Sequence, residues 1–218
     1  MDTFLHYVLY LHILSGFTAL VVGLIPMFSQ KGGKAHILWG KVYYWAMFLV
    51  ALTALLRFKP EVRLVFLGCI AVFSFYNTFT GVRLIKLKNQ VTQAGWQDWL
   101  GAYLALGCSL LMGAYAVYVV VAYSNVFFGI LFTVFGAFCM LLAVTDLLVF
   151  SGKKSVEKLH WLYGHISRMG GSYIATVTAF LVVNNKGLVP DLMAWIAPGV
   201  IGGIIIGRVT KAYKKKVA

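Results

Sequence analysis

The chain has 218 residues, 61% of them hydrophobic and only 11% charged, with a formal charge of +13. A soluble domain is roughly 45–50% apolar and about 25% charged, so a soluble globular fold is excluded: only lipid can cover this much apolar side chain. The cations sit at the ends of apolar segments and not on a polar, aromatic-interleaved surface, which excludes nucleic acid as partner and leaves membrane lipid as the expected one.

Seven apolar segments follow, at about 4–28, 36–57, 63–87, 97–122, 126–150, 159–183 and 191–210. Each is near the roughly 20 residues that a spanning helix needs. The runs are continuous and lack the alternation of a barrel, and a spanning helix satisfies its own backbone hydrogen bonds. The expected fold is therefore all-α: one integral membrane domain over 1–218, a polytopic helix bundle.

The first segment begins after Met1-Asp2-Thr3, which carries no positive charge. The apolar stretch that follows runs about 25 residues, so it reads as a span and not as a cleaved leader. His6 reads as interfacial. His12 lies above Ser15, Gly16, Ala19 and Gly23, a small-residue face that lets a second helix approach, and is expected to point inward. His36 opens the second segment, which also carries Tyr43 and Tyr44. On the third, Ser74, Asn77 and Thr80 recur at threes and lead to Arg83, with Tyr76 between them. The fourth segment, 97–122, reads as a connector.

Asp146 is the acid well inside a span, about one turn from the end of the fifth segment. In the sixth, His160 opens the helix, and His165, Arg168, Ser172 and Thr176 form one polar stripe at i, i+3, i+7 and i+11. Arg168 lies roughly 13 Å along its helix, near mid-bilayer. An intramembrane charge needs a partner. Asp146 is expected to pair with Arg168, His165 or His160, on neighbouring helices joined by a short loop. The seventh segment holds Pro198-Gly199, then Gly203 and Gly207, read as a packing stripe; a broken helix at a transport site is the functional version of the same feature. Cys69, Cys108 and Cys139 all fall inside spans without CxxC spacing and read as small core residues.

Lys31, Lys34 and Lys41, then Arg83, Lys86 and Lys88, then Lys153, Lys154 and Lys158, and the tail Arg208, Lys211, Lys214, Lys215 and Lys216 fall on one side of the membrane. The other side has Arg57, Lys59, Arg63 and Lys186. The positive-inside rule then puts the N-terminus outside and the C-terminus in the cytoplasm, expected to be that of a bacterial cell with the protein in its inner membrane. An internal repeat is also expected. FSQKGGKAHILWGKV (28–42) is matched by FSGKKSVEKLHWLYGHI (150–166), and GVRLIK (81–86) by IGRVTK (206–211). Helices 1–3 (about 4–88) would pair with helices 5–7 (about 126–212) around helix 4, a 3+1+3 parallel arrangement.

HWLYGHISRMGGSYIATVTAFLVVNN (160–185), with LHILSGFTALVVG (11–23) and HILWGKVYYWAM (36–47), resembles a family of bacterial multi-pass membrane proteins of the Bacteroidetes type, which has no established activity. The resemblance covers most of the chain. It implies recurrence of histidines like His12, His36 and His165 and of an arginine like Arg168. It also marks a departure at Ile37, where an arginine is common. It implies an architecture and no reaction.

No GxSxG, HExxH or Walker loop is present, and no thiolate–histidine cluster suits zinc. The function expected is binding of a small ligand or cofactor in the inner half of the bundle. The candidate residues are His12, His36, Tyr43, Asn77, Arg83, Asp146, His160, His165, Arg168 and Ser172. For b-type haem, His12 and His165 are the axial candidates, with Arg83 or Arg168 toward the propionates; their depths differ by roughly 9 Å. The other readings are a small-solute or proton-coupled transporter, an enzyme acting on lipid or quinone with His165 as acid or base, and a non-catalytic assembly or sensor protein.

Overall fold

The computed structural model describes residues 2–88 and 94–217, with side chains over 3–88 and 94–215; the Lys216 side chain, counted above among the tail cations, lies outside them. The chain is all-helical: α1 (Asp2–Val22), α2 (Leu24–Phe28), α3 (Lys34–Leu56), α4 (Val62–Lys86), α5 (Trp96–Tyr123), α6 (Val126–Phe150), α7 (His160–Asn184) and α8 (Asp191–Val217). Among the described residues, seven spans are long and apolar enough to cross a membrane, with α1 and α2 together forming the first. A helix of 25 residues extends roughly 38 Å, more than the roughly 30 Å of a bilayer's hydrocarbon core.

The outer faces are apolar. Phe17, Trp45, Leu111, Val121, Phe138 and Ile201 are all exposed, as helices in contact with lipid require. The inside is organised around α4, which packs on α3, α5, α6 and α7. It is the most buried span, and α8 is the least. Toward the N-terminal end of α4, Phe66 is fully buried. The rings of Phe128, Phe132, Phe135 and Trp195 meet it edge-on at 5.0–5.9 Å between centroids, the geometry favoured by aromatic quadrupoles. This cluster ties α4 to α6 and α8.

Two expectations change. First, α6 and α7 are not close neighbours although a short loop joins them: α6 packs mainly on α5, and α7 on α4 and α8. Chain continuity was a weaker constraint than the pairing of α5 with α6 across their two-residue connection, Ser124-Asn125, where Asn125 caps α6 by accepting from Phe128 N–H. The packing of the two helix triplets expected to repeat consequently differs, since α1 packs on α3 whereas α6, its expected counterpart, turns to α5.

Second, the glycines that pack α8 are not those of the expected stripe. Gly199, Gly203 and Gly207 have open space where a Cβ would project, whereas the Cβ position of Gly202 falls on Ile174 and that of Gly170 on Ile206. The i+4 spacing was right for a stripe, but the neighbouring stripe is the one that faces α7.

The discontinuous helix, the reading set behind packing for Pro198-Gly199, is not found there. α8 runs unbroken through Pro198. The first span is interrupted at Gly23, three residues before Pro26, which cannot donate to the carbonyl four residues back.

Candidate functional site

The centre of the bundle holds Asp146, Arg168 and Tyr76, from α6, α7 and α4. Arg168 Nη2 donates to Asp146 Oδ1 at 2.7 Å. Tyr76 Oη donates to Asp146 Oδ2 at 2.5 Å. The guanidinium carbon lies 5.4 Å from the centroid of the Tyr76 ring. Arg168 and Asp146 are each 6% exposed and Tyr76 is 4% exposed. Of the three partners considered for Asp146, Arg168 is the one it binds. Tyr76 donates to the second carboxylate oxygen, so each oxygen of the acid has a partner. One atom is left over: Arg168 Nη1 is buried and has no hydrogen-bond partner. A buried charged donor without an acceptor costs at least ~1–3 kcal/mol.

His160, at the first turn of α7, lies two turns before Arg168. It lines a cavity of about 330 Å³ together with Lys154, Glu157, Tyr163, Thr210 and Lys214. Lys214 reaches Glu157 at 3.0 Å and sits 4.9 Å from the Tyr163 ring centroid. Thr210 Oγ1 is buried without a partner.

A second group, Tyr43, Thr78 and Ser172, crosses from α3 to α7 and α4. Tyr43 Oη meets Ser172 Oγ at 2.7 Å. Thr78 Oγ1 meets the same hydroxyl at 2.6 Å and also donates to the Ser74 carbonyl at 3.0 Å. These hydroxyls satisfy one another. The stripe predicted on the sixth segment therefore faces the interior, but its halves differ: Ser172 closes a network and Arg168 leaves one open.

His36 and His165 form the third group. Their ring centroids are 6.2 Å apart, inclined at 60°. His36 Nδ1 lies 3.0 Å from the Pro26 carbonyl, and His165 Nδ1 lies 2.8 Å from the Gly81 carbonyl. Lys31, in the connection between α2 and α3, donates to the carbonyls of Pro26 and Met27, and partial burial lowers its pKa from the ordinary lysine value.

The remaining candidates lie elsewhere. His12 is half-buried and faces inward as expected, but its Nδ1 is 2.9 Å from Thr53 Oγ1. Thr53 and His36 are 17 residues apart on α3, about 26 Å along its axis. His12 and His165, which touches His36, are therefore at opposite ends of the bundle and do not fit as axial ligands of one haem. Asn77 donates to the Phe73 carbonyl of its own helix at 3.0 Å. Arg83 does not face the interior site. Its Nε and Nη2 make a two-pronged pair with Asp98 Oδ1 and Oδ2, both at 2.7 Å, near the N-terminus of α5.

Sequence reasoning missed Asp98 and Pro26. Asp98 had a signal: it sits three residues after Gly95, and its carboxylate accepts from the Gly95 N–H at 2.9 Å, as acids do at helix starts. Pro26 had the signal of a proline inside an apolar run. Among the described residues no group of three or more His, Cys, Asp or Glu side chains could hold a metal ion, and the three cysteines are free thiols. No family model, curated protein or solved structure matches the chain.

Proposed function

We propose that this polytopic membrane protein binds a small ligand bearing an acceptor group, such as a carboxylate, carbonyl or phosphate, at Arg168. The observation that carries the reading is the buried, unpartnered Nη1 of a guanidinium whose Nη2 is held by Asp146. Asp146 and Tyr76 hold the guanidinium in one orientation, so Nη1 is a preorganised donor. The charge of the pair is nearly neutral, which favours a neutral or singly anionic ligand over a cation. The cavity lined by His160, Lys154 and Lys214, two turns away along α7, supplies a basic mouth on the same side of the bundle.

In this reading Tyr43, Thr78 and Ser172 are a lock between helices, because their hydroxyls are mutually satisfied. The basic loops face the cytoplasm of a bacterial cell and the protein sits in its inner membrane, on the Lys and Arg asymmetry. The loops 29–33 and 151–159 are relics of a duplicated unit. Each begins with a serine that ends a helix, Ser29 and Ser151, and each contains a left-handed glycine, Gly32 at φ 75° and Gly152 at φ 71°.

Native mass spectrometry tests the ligand. Protein released from its own membrane in mild detergent should carry a small-molecule adduct, and the charge-balanced double variant Arg168→Gln/Asp146→Asn should lose it. No adduct on the wild-type chain, or the same adduct on the folded double variant, would overturn the reading.

A further inference from the structure

We propose that His36 and His165, with Met169 one helical turn on from His165, form a binding site for monovalent copper. The argument begins with the tautomers. A carbonyl oxygen only accepts, so the hydrogen in each pair must be on Nδ1: His36 donates to Pro26 and His165 donates to Gly81. Each neutral ring then carries its lone pair on Nε2. Anchoring one ring nitrogen on a backbone carbonyl while the other is left as a ligand is the arrangement found around protein-bound metals, where it fixes the ring and raises its basicity.

The spacing fits. A metal bound by two imidazole nitrogens at ~2.0–2.1 Å holds the ring centroids roughly 6 Å apart, and here they are 6.2 Å apart. The inclination of 60° is no obstacle, because each ring can rotate about its own nitrogen–metal bond.

The third donor is a thioether. Met169 is one helical turn on from His165, and its Sδ lies 2.9 Å from the Cβ position of Gly81, the residue whose carbonyl anchors His165. A glycine there leaves room for the sulfur. Imidazole with thioether is a soft donor set, and soft ligands select Cu(I) among the biological metals.

Charge points the same way. Lys31 donates to the same Pro26 carbonyl as His36, which puts an ammonium beside the pair. The acids of this half of the bundle are engaged elsewhere, Asp98 with Arg83, Asp146 with Arg168 and Glu157 with Lys214. A site without carboxylates and beside an ammonium disfavours a divalent ion far more than a monovalent one. The end of the first span contributes directly, since α2 ends two residues after Pro26 and the Pro26 carbonyl accepts from His36, Lys31 and, at 3.5 Å, Ser29 Oγ.

The site shares no residue with the ligand site at Arg168. The experiment uses the full chain in detergent, carrying a purification tag without histidine, titrated anaerobically with Cu(I) against a colorimetric Cu(I) chelator. The wild-type chain should retain one equivalent, with an X-ray absorption edge and fine structure showing two imidazoles. His36→Ala and His165→Ala should each lose that equivalent, Met169→Leu should weaken it, and Gly203→Ala, where a methyl group meets open space, should leave it unchanged. If His165→Ala fails to fold, His36→Ala and the spectrum of the wild-type chain decide. No retained Cu(I), equal retention in His36→Ala, or a spectrum without paired imidazoles would overturn the proposal. Retention of Zn(II) but not Cu(I) would overturn the assignment to copper.

Discussion

Arg168 and Asp146 are joined at 2.7 Å although the helices that carry them, α7 and α6, pack mainly on other neighbours. The long arginine side chain bridges the gap, and Tyr76 of α4 stands beside both groups. One ion pair therefore ties three helices.

Removing one member of a buried pair leaves the other charge uncompensated, which costs about 3–5 kcal/mol, whereas replacing both by apolar residues of similar size costs far less. Arg168→Met and Asp146→Leu should each destabilise the bundle strongly. The double variant should be closer to wild type than either single one. Reversible unfolding in mixed micelles would show this as a large coupling energy. Additive losses would mean that the two residues act separately.

Tyr76→Phe removes the donor to Asp146 Oδ2 without changing ring volume. The carboxylate oxygen is then buried and unsatisfied, at a cost of ~1–3 kcal/mol. The same unfolding assay should report a loss in that range for Tyr76→Phe. It should report little for Tyr103→Phe, whose ring lies on the exposed face of α5. Equal effects would remove Tyr76 from the network.

The pair was legible in the sequence because charges in an apolar span are rare, and each demands a partner. The seven spans were legible for a similar reason: 20 or so apolar residues read the same in any context. The partner of His36 was not legible. His36 and His160 occupy equivalent places in the sequence, yet His36 meets His165, because the path of α2 past Pro26 decides which ring it faces. The choice between Gly202 and Gly203 was hidden as well. Both belong to i+4 series of small residues, and only the rotation of α8 about its axis selects one.

That rotation gives a paired test. A methyl group at Gly202 meets Ile174, while one at Gly203 meets nothing. Gly202→Ala should destabilise through overpacking by about 1–3 kcal/mol. Gly203→Ala should be neutral or stabilising, since alanine has the higher helix propensity by up to ~1 kcal/mol. The reverse order would place the other face of α8 against α7.

Arg83 and Asp98 make a similar test of geometry at the basic end. Asp98 is 2% exposed and receives both prongs of the guanidinium. Lysine keeps the charge but offers a single point of contact. Arg83→Lys should therefore lose about 1.5–3 kcal/mol, the worth of a charged hydrogen bond. If lysine fully substitutes in the unfolding assay, charge alone holds α4 to α5.

The orientation proposed from the basic loops can be read with single thiols. Lys153 follows α6 and Lys186 follows α7, both exposed, so they should face opposite sides of the membrane. The native cysteines are buried or half-buried inside spans and should not react with a membrane-impermeant maleimide, so the wild-type chain serves as background. Lys186→Cys should label on intact spheroplasts, and Lys153→Cys only after the membrane is opened. Such a result would put His36, His165 and the basic mouth beside His160 on the cytoplasmic side. The opposite pattern would turn the bundle over and expose both candidate sites to the outside, against the preference of Lys and Arg for the inner face.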